Sequence, residues 1–318
     1  MPKLEATMSK RDLISIAALS PEEIRRLLRR AKEMKTGAQS DCLSGKSVAM
    51  LFEKPSLRTR VSFDVAIHEL GGHAIYLGRD EVGLGSREGV SDVGRVLSRY
   101  VDAIVARTFS HQTLIDLASY ATIPVVNALS DTEHPCQALG DLLTIQEHLG
   151  HAGGRLEGVR IAFIGDGNNV AASLALGAAA VDAHFVIASP QGYELPDDIV
   201  RRAKSLIPSV SATLRQVLSP QEAVRHADVV YTDVWVSMGQ EAQTEQRRRD
   251  FQGYQVTPEL MALAKSSAIF MHPLPTHRGE EVAEGMLEHK QSVVFDQAEN
   301  RLHAQKAVLE FLMPGEKG

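Results

Sequence analysis

The chain has 318 residues, with 34 Lys and Arg against 40 Asp and Glu, a formal charge of −6; 44% of residues are hydrophobic and 23% charged. That balance excludes a disordered chain, and the mild acidity gives no basic face for nucleic acid, so no nucleic-acid partner is expected. Single hydrophobic cores stop growing near 250–300 residues, so about two domains are expected.

The N-terminal stretch MPKLEATMSKRDL carries charges of both signs and no apolar run. It reads as neither a signal peptide nor a transit peptide, and a cytoplasmic location is expected. Strands are then predicted at 46–52, 73–77, 102–106 and 124–127, with helices at 56–70, 90–100 and 111–121 between them. In the second helix Val90, Val93, Val96, Leu97 and Tyr100 recur at helical spacing. A helix starts just after His134 and continues through 141–149. The Gly-rich, polar segment 148–158, HLGHAGGRLEG, is the best domain boundary, dividing the chain into 1–150 and 151–318. Beyond it the pattern restarts. Strands are predicted at 159–164, 184–188, 209–214, 229–232 and 268–271, and helices at 170–181, 197–206, 219–226 and 299–312. The segment 170–181 is the longest apolar run, and a bilayer span needs about 20 residues, so no membrane partner is expected. The charge-dense segment 240–250, with Arg247, Arg248 and Arg249 in succession, reads as a solvated loop or helix face, or alternatively as a lid. Cys42 and Cys136 are the only cysteines, too few for a disulfide framework. Strand–helix alternation predicts an α/β fold of two Rossmann-like domains, each a parallel sheet flanked by helices.

In such sheets ligands bind beyond the carboxyl ends of the strands, so the loops there are the places to seek chemistry. The first is Lys54-Pro55-Ser56-Leu57-Arg58-Thr59-Arg60. Ser56 and Thr59 hydroxyls, Arg58 and Arg60 guanidiniums and a helix N-terminus converge on one turn, which suits a phosphate. The alternative is a capped helix with two surface arginines. Arg107 closes a strand and lies beside that turn if the two strands are neighbours. In Asp131-Thr132-Glu133-His134-Pro135-Cys136-Gln137, a His suits a developing oxyanion and a Gln suits an amide. His134 has no second His or Cys at ligand spacing, so no metal is expected. Gly165-Asp166-Gly167-Asn168-Asn169-Val170 invites a dinucleotide reading, but Val170 stands where the third glycine is required. Asn169 is instead a candidate for a carboxylate or amine. Asp233, opening Asp233-Val234-Trp235-Val236-Ser237-Met238-Gly239, offers a carboxylate to an ammonium. Pro273 and Pro275 stiffen the loop 271–279, whose carbonyls can face a ligand. Gln297-Ala298-Glu299-Asn300-Arg301 supplies one more Arg.

Six motifs in this order — SLRTR, HPCQ, GDGNN, DVWVSMG, HPLPTHRGEE and FDQAENRLHAQK — resemble those of the carbamoyltransferases, most closely the ornithine enzymes, over about 12–312. The resemblance implies that the first domain binds carbamoyl phosphate and the second L-ornithine, and that the C-terminal helix packs back on the first domain. It implies that Ser56, Arg58, Thr59 and the Leu57 N–H hold the phosphate, and that Arg107, His134 and Thr59 polarise the carbamoyl oxygen. Gln137, the Pro273 and Leu274 carbonyls and Arg301 complete that pocket. Asn169, Asp233, Ser237 and Met238 hold ornithine. The implied products are L-citrulline and phosphate, with no cofactor, and the implied assembly is a homotrimer or a multiple of one. Leu57 stands where Thr is commoner, at a position expected to act through its N–H; the departure that matters is Pro273, where the ornithine enzymes carry Cys. That departure keeps two alternatives open, another amine acceptor such as putrescine or a modified ornithine, and a non-catalytic homologue. A dinucleotide-dependent oxidoreductase rests on GDGNN alone.

Overall fold

A computed structural model describes residues 10–85, 87–150, 154–207, 212–237, 239 and 241–313. In chain order the elements begin with α1 (Pro21–Lys35), β1 (Ser47–Phe52), α2 (Leu57–Glu69), β2 (His73–Gly78), α3 (Arg79–Val82) and α4 (Val90–Tyr100). Next come β3 (Ala103–Arg107), α5 (His111–Tyr120), β4 (Val125–Leu129) and α6 (Pro135–Leu149). The second half contains β5 (Arg160–Ile164), α7 (Asn169–Ala180), β6 (His184–Ala188), α8 (Asp197–Leu206), β7 (Leu214–Val217), α9 (Pro220–Val224) and β8 (Val229–Thr232). It ends with α10 (Thr244–Asp250), α11 (Pro258–Met261), β9 (Ile269–Met271) and α12 (Val294–Leu312).

Two parallel sheets result. The first has the order β2-β1-β3-β4 and the second β7-β6-β5-β8-β9. Contacts divide the chain into two compact units. One comprises 1–14, 39–131 and 308–318 and contains the first sheet; the other comprises 15–38 and 132–307 and contains the second. The units change over between 131 and 132; α1 and α6 group with the second unit, and residues 308–313, at the end of α12, group with the first.

In the first unit, Ala49, Leu51, Ile104 and Ala106 from the sheet pack with Val93 of α4 and Leu114 and Leu117 of α5. Parallel strands covered by helices need apolar side chains on each face, and β3 is buried throughout. In the second unit, Ala162 and Ile164 of β5 and Val230 of β8 pack with Phe251, Val256, Met261 and Phe270.

Two expectations are corrected. The strand placed at 209–214 forms at Leu214–Val217, where it pairs with β6; 208–211 lie outside the described residues. Helix α12 starts at Val294 rather than 299. Helix α6 begins at Pro135, directly after His134 as expected, where Pro at the first helical position needs no N–H partner. Helix α1 was not anticipated, yet its start is written in the sequence: Ser20 accepts from Glu23 N, Glu23 accepts from Ser20 N, and Pro21 follows.

Candidate active site

The first unit places five expected residues at the carboxyl ends of two neighbouring strands. Strand β1 pairs with β3 so that Phe52 stands opposite Arg107, and Glu53 N donates to Arg107 O at 2.8 Å. Ser56 caps α2, its hydroxyl accepting from Thr59 N at 3.3 Å. Leu57 opens the helix with its side chain 76% exposed, so its backbone rather than its side chain is the useful group. Arg58 is half-buried, and Thr59 and Arg107 are buried. Two guanidiniums and two hydroxyls thus share a strand-end with a helix N-terminus, whose dipole favours an anion. Lys54 is also buried, its Nζ 4.7 Å from the centre of the Phe109 ring. A cavity of about 540 Å³ lies beside this loop, lined by Phe52, Glu53, Pro55, Tyr76, Arg79 and Phe109.

In the second unit His134 caps α6 and is buried. Its backbone N–H donates to Ser173 Oγ at 2.8 Å, and Ser173 Oγ donates to Glu133 Oε2 at 3.2 Å. Glu133 also accepts from Ile16 N and from Arg202. This carboxylate is wholly buried, and it pins the turn that presents His134. One turn further on, Gln137 donates from Nε2 to Asp141 Oδ1 at 2.8 Å. Its Oε1 is buried with no hydrogen-bond partner among the described residues. A buried amide oxygen left over in this way is an acceptor waiting for an N–H donor.

The loop after β9 is tied to the same place. His272 N donates to Gln297 Oε1 at 2.8 Å, Leu274 N donates to His272 Nδ1 at 2.9 Å, and Leu274 takes the left-handed backbone conformation at φ 58°. Pro273 is buried. Arg301 is buried on α12, packed against α6 so closely that a Cβ on Gly140 would come within 3.2–3.3 Å of it.

Asp233 follows β8. Its Oδ2 accepts from Asn168 Nδ2 at 2.8 Å and its Oδ1 from its neighbour Val234 N at 2.9 Å. Burial pushes its carboxyl above the usual range, against the pull of His272 and of Asn168's hydrogen bond. Asn168 caps α7 by accepting from Val170 N and Ala171 N, so it holds the helix start and Asp233 together, while Asn169 is half-buried at the first helical position. Gly167 has a plain steric reason: a Cβ there would sit 2.4 Å from the backbone of Glu194. The GDGNN glycine serves chain packing, which removes the main feature behind a dinucleotide reading. Ser237 is half-buried; Met238 lies outside the described residues.

Arg247 corrects another expectation. It is not solvated: it is buried, donates to Asp166 Oδ2 at 2.7 Å and Trp235 O at 2.8 Å, and lies over the Tyr193 ring. One side chain therefore ties the 165–169 loop to the 233–239 loop. Arg248 behaves as expected of a surface group, pairing with Glu280 and Glu245. Sequence reasoning missed Glu133, Asp141, Ser173, Gln297 and the inward role of Arg247. For Asp141 and Ser173 the only signal was a polar residue inside an apolar helix pattern; Glu133, Gln297 and Arg247 sit among other polar residues and gave none.

Among the described residues, ligand atoms of His277, Glu280 and Glu281 come within 4.8 Å of one another. Glu280 is engaged by Arg248, and Glu281 accepts from His277 N and contacts His272.

The chain matches two family models: the carbamoyl-P binding domain of aspartate/ornithine carbamoyltransferase over residues 11–147, and the Asp/Orn binding domain over 157–312. It is 50% identical over 307 residues to the ornithine carbamoyltransferase of Anoxybacillus flavithermus, covering 95% of this chain and 96% of that protein. It is 48% identical to the anabolic ornithine carbamoyltransferase of Pyrococcus furiosus, covering 98% and 99%. The solved structure of the ornithine carbamoyltransferase from Pyrococcus furiosus matches with a TM-score of 0.91 and 48% identity over 98% of this chain and 99% of that one. That from Thermus thermophilus matches with a TM-score of 0.85 and 45% identity over 95% and 98%.

Proposed function

This chain belongs to the aspartate/ornithine carbamoyltransferase family, and from that premise we propose that it transfers the carbamoyl group of carbamoyl phosphate to the δ-amine of L-ornithine. The products are L-citrulline and phosphate, formed in the biosynthetic direction. The observation that carries the carbamoyl half of this reading is Gln137, whose buried Oε1 lacks a donor and suits the carbamoyl NH₂. The near-full-length identity of about half to ornithine carbamoyltransferases carries the choice of acceptor.

The roles follow from the chemistry of each group. Ser56, the Leu57 N–H, Arg58 and Thr59 take the phosphate, with Arg301 adding positive charge for the anion. Arg107, His134 and Thr59 polarise the carbamoyl oxygen, and the Pro273 and Leu274 carbonyls join Gln137 as acceptors from the carbamoyl nitrogen. Asn169, Asp233, Ser237 and Met238 take ornithine. A free alkyl ammonium has a pKa of about 10.4, yet only the neutral amine attacks. Asp233 holds the amine, and the departing phosphate accepts its proton. Attack makes the carbamoyl carbon tetrahedral and its oxygen anionic; the C–O bond to phosphate then breaks. Each donor aimed at that oxyanion is worth on the order of 10²–10³ in rate. Holding two small substrates in register supplies effective molarities of roughly 10⁵–10⁸ M. These residues need no cofactor for the transfer as written. The assembly proposed is a homotrimer or a multiple of one, and the location cytoplasmic.

The test is citrulline formation from carbamoyl phosphate and ornithine, with putrescine, lysine and aspartate in parallel. Ornithine-dependent turnover is expected. Turnover with a different amine alone would overturn the acceptor, and carbamoyl phosphate binding without any turnover would make the chain a non-catalytic homologue.

A further inference from the structure

Asp141 lies one helical turn beyond Gln137, wholly buried, and the mechanism above does not use it. Three donors converge on its carboxylate. Gln137 Nε2 reaches Oδ1 at 2.8 Å, Gln297 Nε2 reaches Oδ1 at 2.7 Å, and the Tyr231 hydroxyl reaches Oδ2 at 3.0 Å. Gln297 Nε2 also donates to the Tyr231 oxygen at 3.0 Å, while Gln297 Oε1 accepts from His272 N.

We propose that Asp141 is a positioning residue, and that its carboxylate sets the polarity of the carbamoyl pocket by fixing which way Gln137 and Gln297 face. An ionised carboxylate only accepts. Both amides must therefore turn their NH₂ groups toward it. Gln137 is left with its oxygen outward, the partner a carbamoyl NH₂ needs. Gln297 is left with its oxygen on His272 N, which anchors the loop bearing the Pro273 and Leu274 carbonyls. One buried negative charge thus aligns two sets of acceptors on two different elements. The inference rests on the reading of Gln137 as a carbamoyl acceptor.

Protonating the acid reverses the logic, because a carboxylic acid carries a donor that no longer matches three donors. Burial pushes the Asp141 carboxyl up to about 6, against the pull of its three hydrogen bonds and of Arg301. The charged or titratable groups that act on it are Tyr231 from β8 and Arg301 from α12; Cys136 on its own helix also feels Arg301. Burial holds the Cys136 thiol up to about 12 and the Tyr231 hydroxyl well above its usual value. Neither titrates near 6. His272 joins the network only through its backbone N–H and its ring contact to Leu274 N and Glu281.

The experiment measures kcat/KM for carbamoyl phosphate, at saturating ornithine, from pH 5 to 8.5 for wild type, Asp141→Asn, Tyr231→Phe and Gln137→Ala, with inorganic phosphate binding and thermal midpoint for each. Wild type should lose activity reversibly below about pH 6. Asp141→Asn should fall by about 10²-fold at pH 7.5, the cost of a misplaced reacting group. It should lose the additional fall below about pH 6, over and above the amine dependence common to every variant, and keep its phosphate affinity. Tyr231→Phe removes one donor from the carboxylate, so its acid limb should move to higher pH. This second variant carries the test if Asp141→Asn fails to fold. An Asp141→Asn enzyme with wild-type kcat/KM, or a Tyr231→Phe limb that does not move, would overturn the proposal. If Gln137→Ala is itself unimpaired, the reading of Gln137 fails instead, and the two failures are told apart.

Discussion

Single side chains decide which substrate this scaffold holds. Arg58 supplies charge to the first strand-end loop and little to the core, since it is only half-buried. Arg58→Ala should abolish carbamoyl phosphate binding in calorimetry while leaving the circular dichroism spectrum unchanged; near-normal affinity would mean the phosphate is held elsewhere. Pro273 poses a different question. It is buried and flanked by the anchored His272 and the left-handed Leu274. Its carbonyl is an acceptor, and the ring places no thiol at this position. On the proposed placement of ornithine's amine at this loop, Pro273→Cys should raise ornithine turnover severalfold at fixed pH. A steady-state rate equal to or below wild type would show that the ring serves as well.

At the scale of elements, short segments hold the loops in place. Helix α10 is only seven residues long, yet Arg247 projects from it into a buried ion pair with Asp166 and a hydrogen bond to Trp235 O. Burial pushes the Asp166 carboxyl up, Arg247 pulls it back, and Asp233 adds repulsion. Arg247→Ala would leave that acid buried and unpaired, a change costing about 3–5 kcal/mol. A lower melting temperature together with a raised KM for ornithine is expected, since Asp166 and Trp235 belong to the two loops assigned to that substrate. An unchanged ornithine KM would confine Arg247 to a structural role. Helix α1 offers a cleaner case. Ser20→Ala removes one half of a reciprocal cap, which costs about 1 kcal/mol, and chemical denaturation should detect it without any change in turnover.

At the scale of the whole molecule, the proposed homotrimer can be tested directly. Of the large apolar residues at least 40% exposed, Leu57, Val61, Val96, Tyr100, Phe109, Ile115 and Tyr120 belong to the first compact unit and Leu218, Leu263 and Phe295 to the second. A contiguous apolar patch of more than a few hundred Å² is what marks a protein contact. Light scattering should return three times the 34.6 kDa chain mass, or a multiple of that. Tyr100→Glu, at a side chain 76% exposed, should lower it. A stable single-chain mass for the unmodified protein would exclude the trimer.

The periodicity of apolar residues determined most of the architecture, because parallel strands buried on both faces and the helices that cover them must each be apolar in their own rhythm. Residue type at strand-ends likewise marked Ser56, Arg58, Thr59, Arg107, His134 and Asp233, since charged and hydroxyl groups there break an otherwise apolar pattern. Strand order was not written locally. Only the pairing of Phe52 with Arg107 brought that Arg to the Ser56 loop. The supporting network was equally hidden. Asp141, Tyr231 and Gln297 are separated by 90 and 156 residues from their partners, and a buried carboxylate acquires its meaning from the donors that tertiary folding carries to it. The same holds for Arg247: a run of three arginines looks solvated in any window, and only the packing of α10 against the 165–169 loop sorted one of them inward.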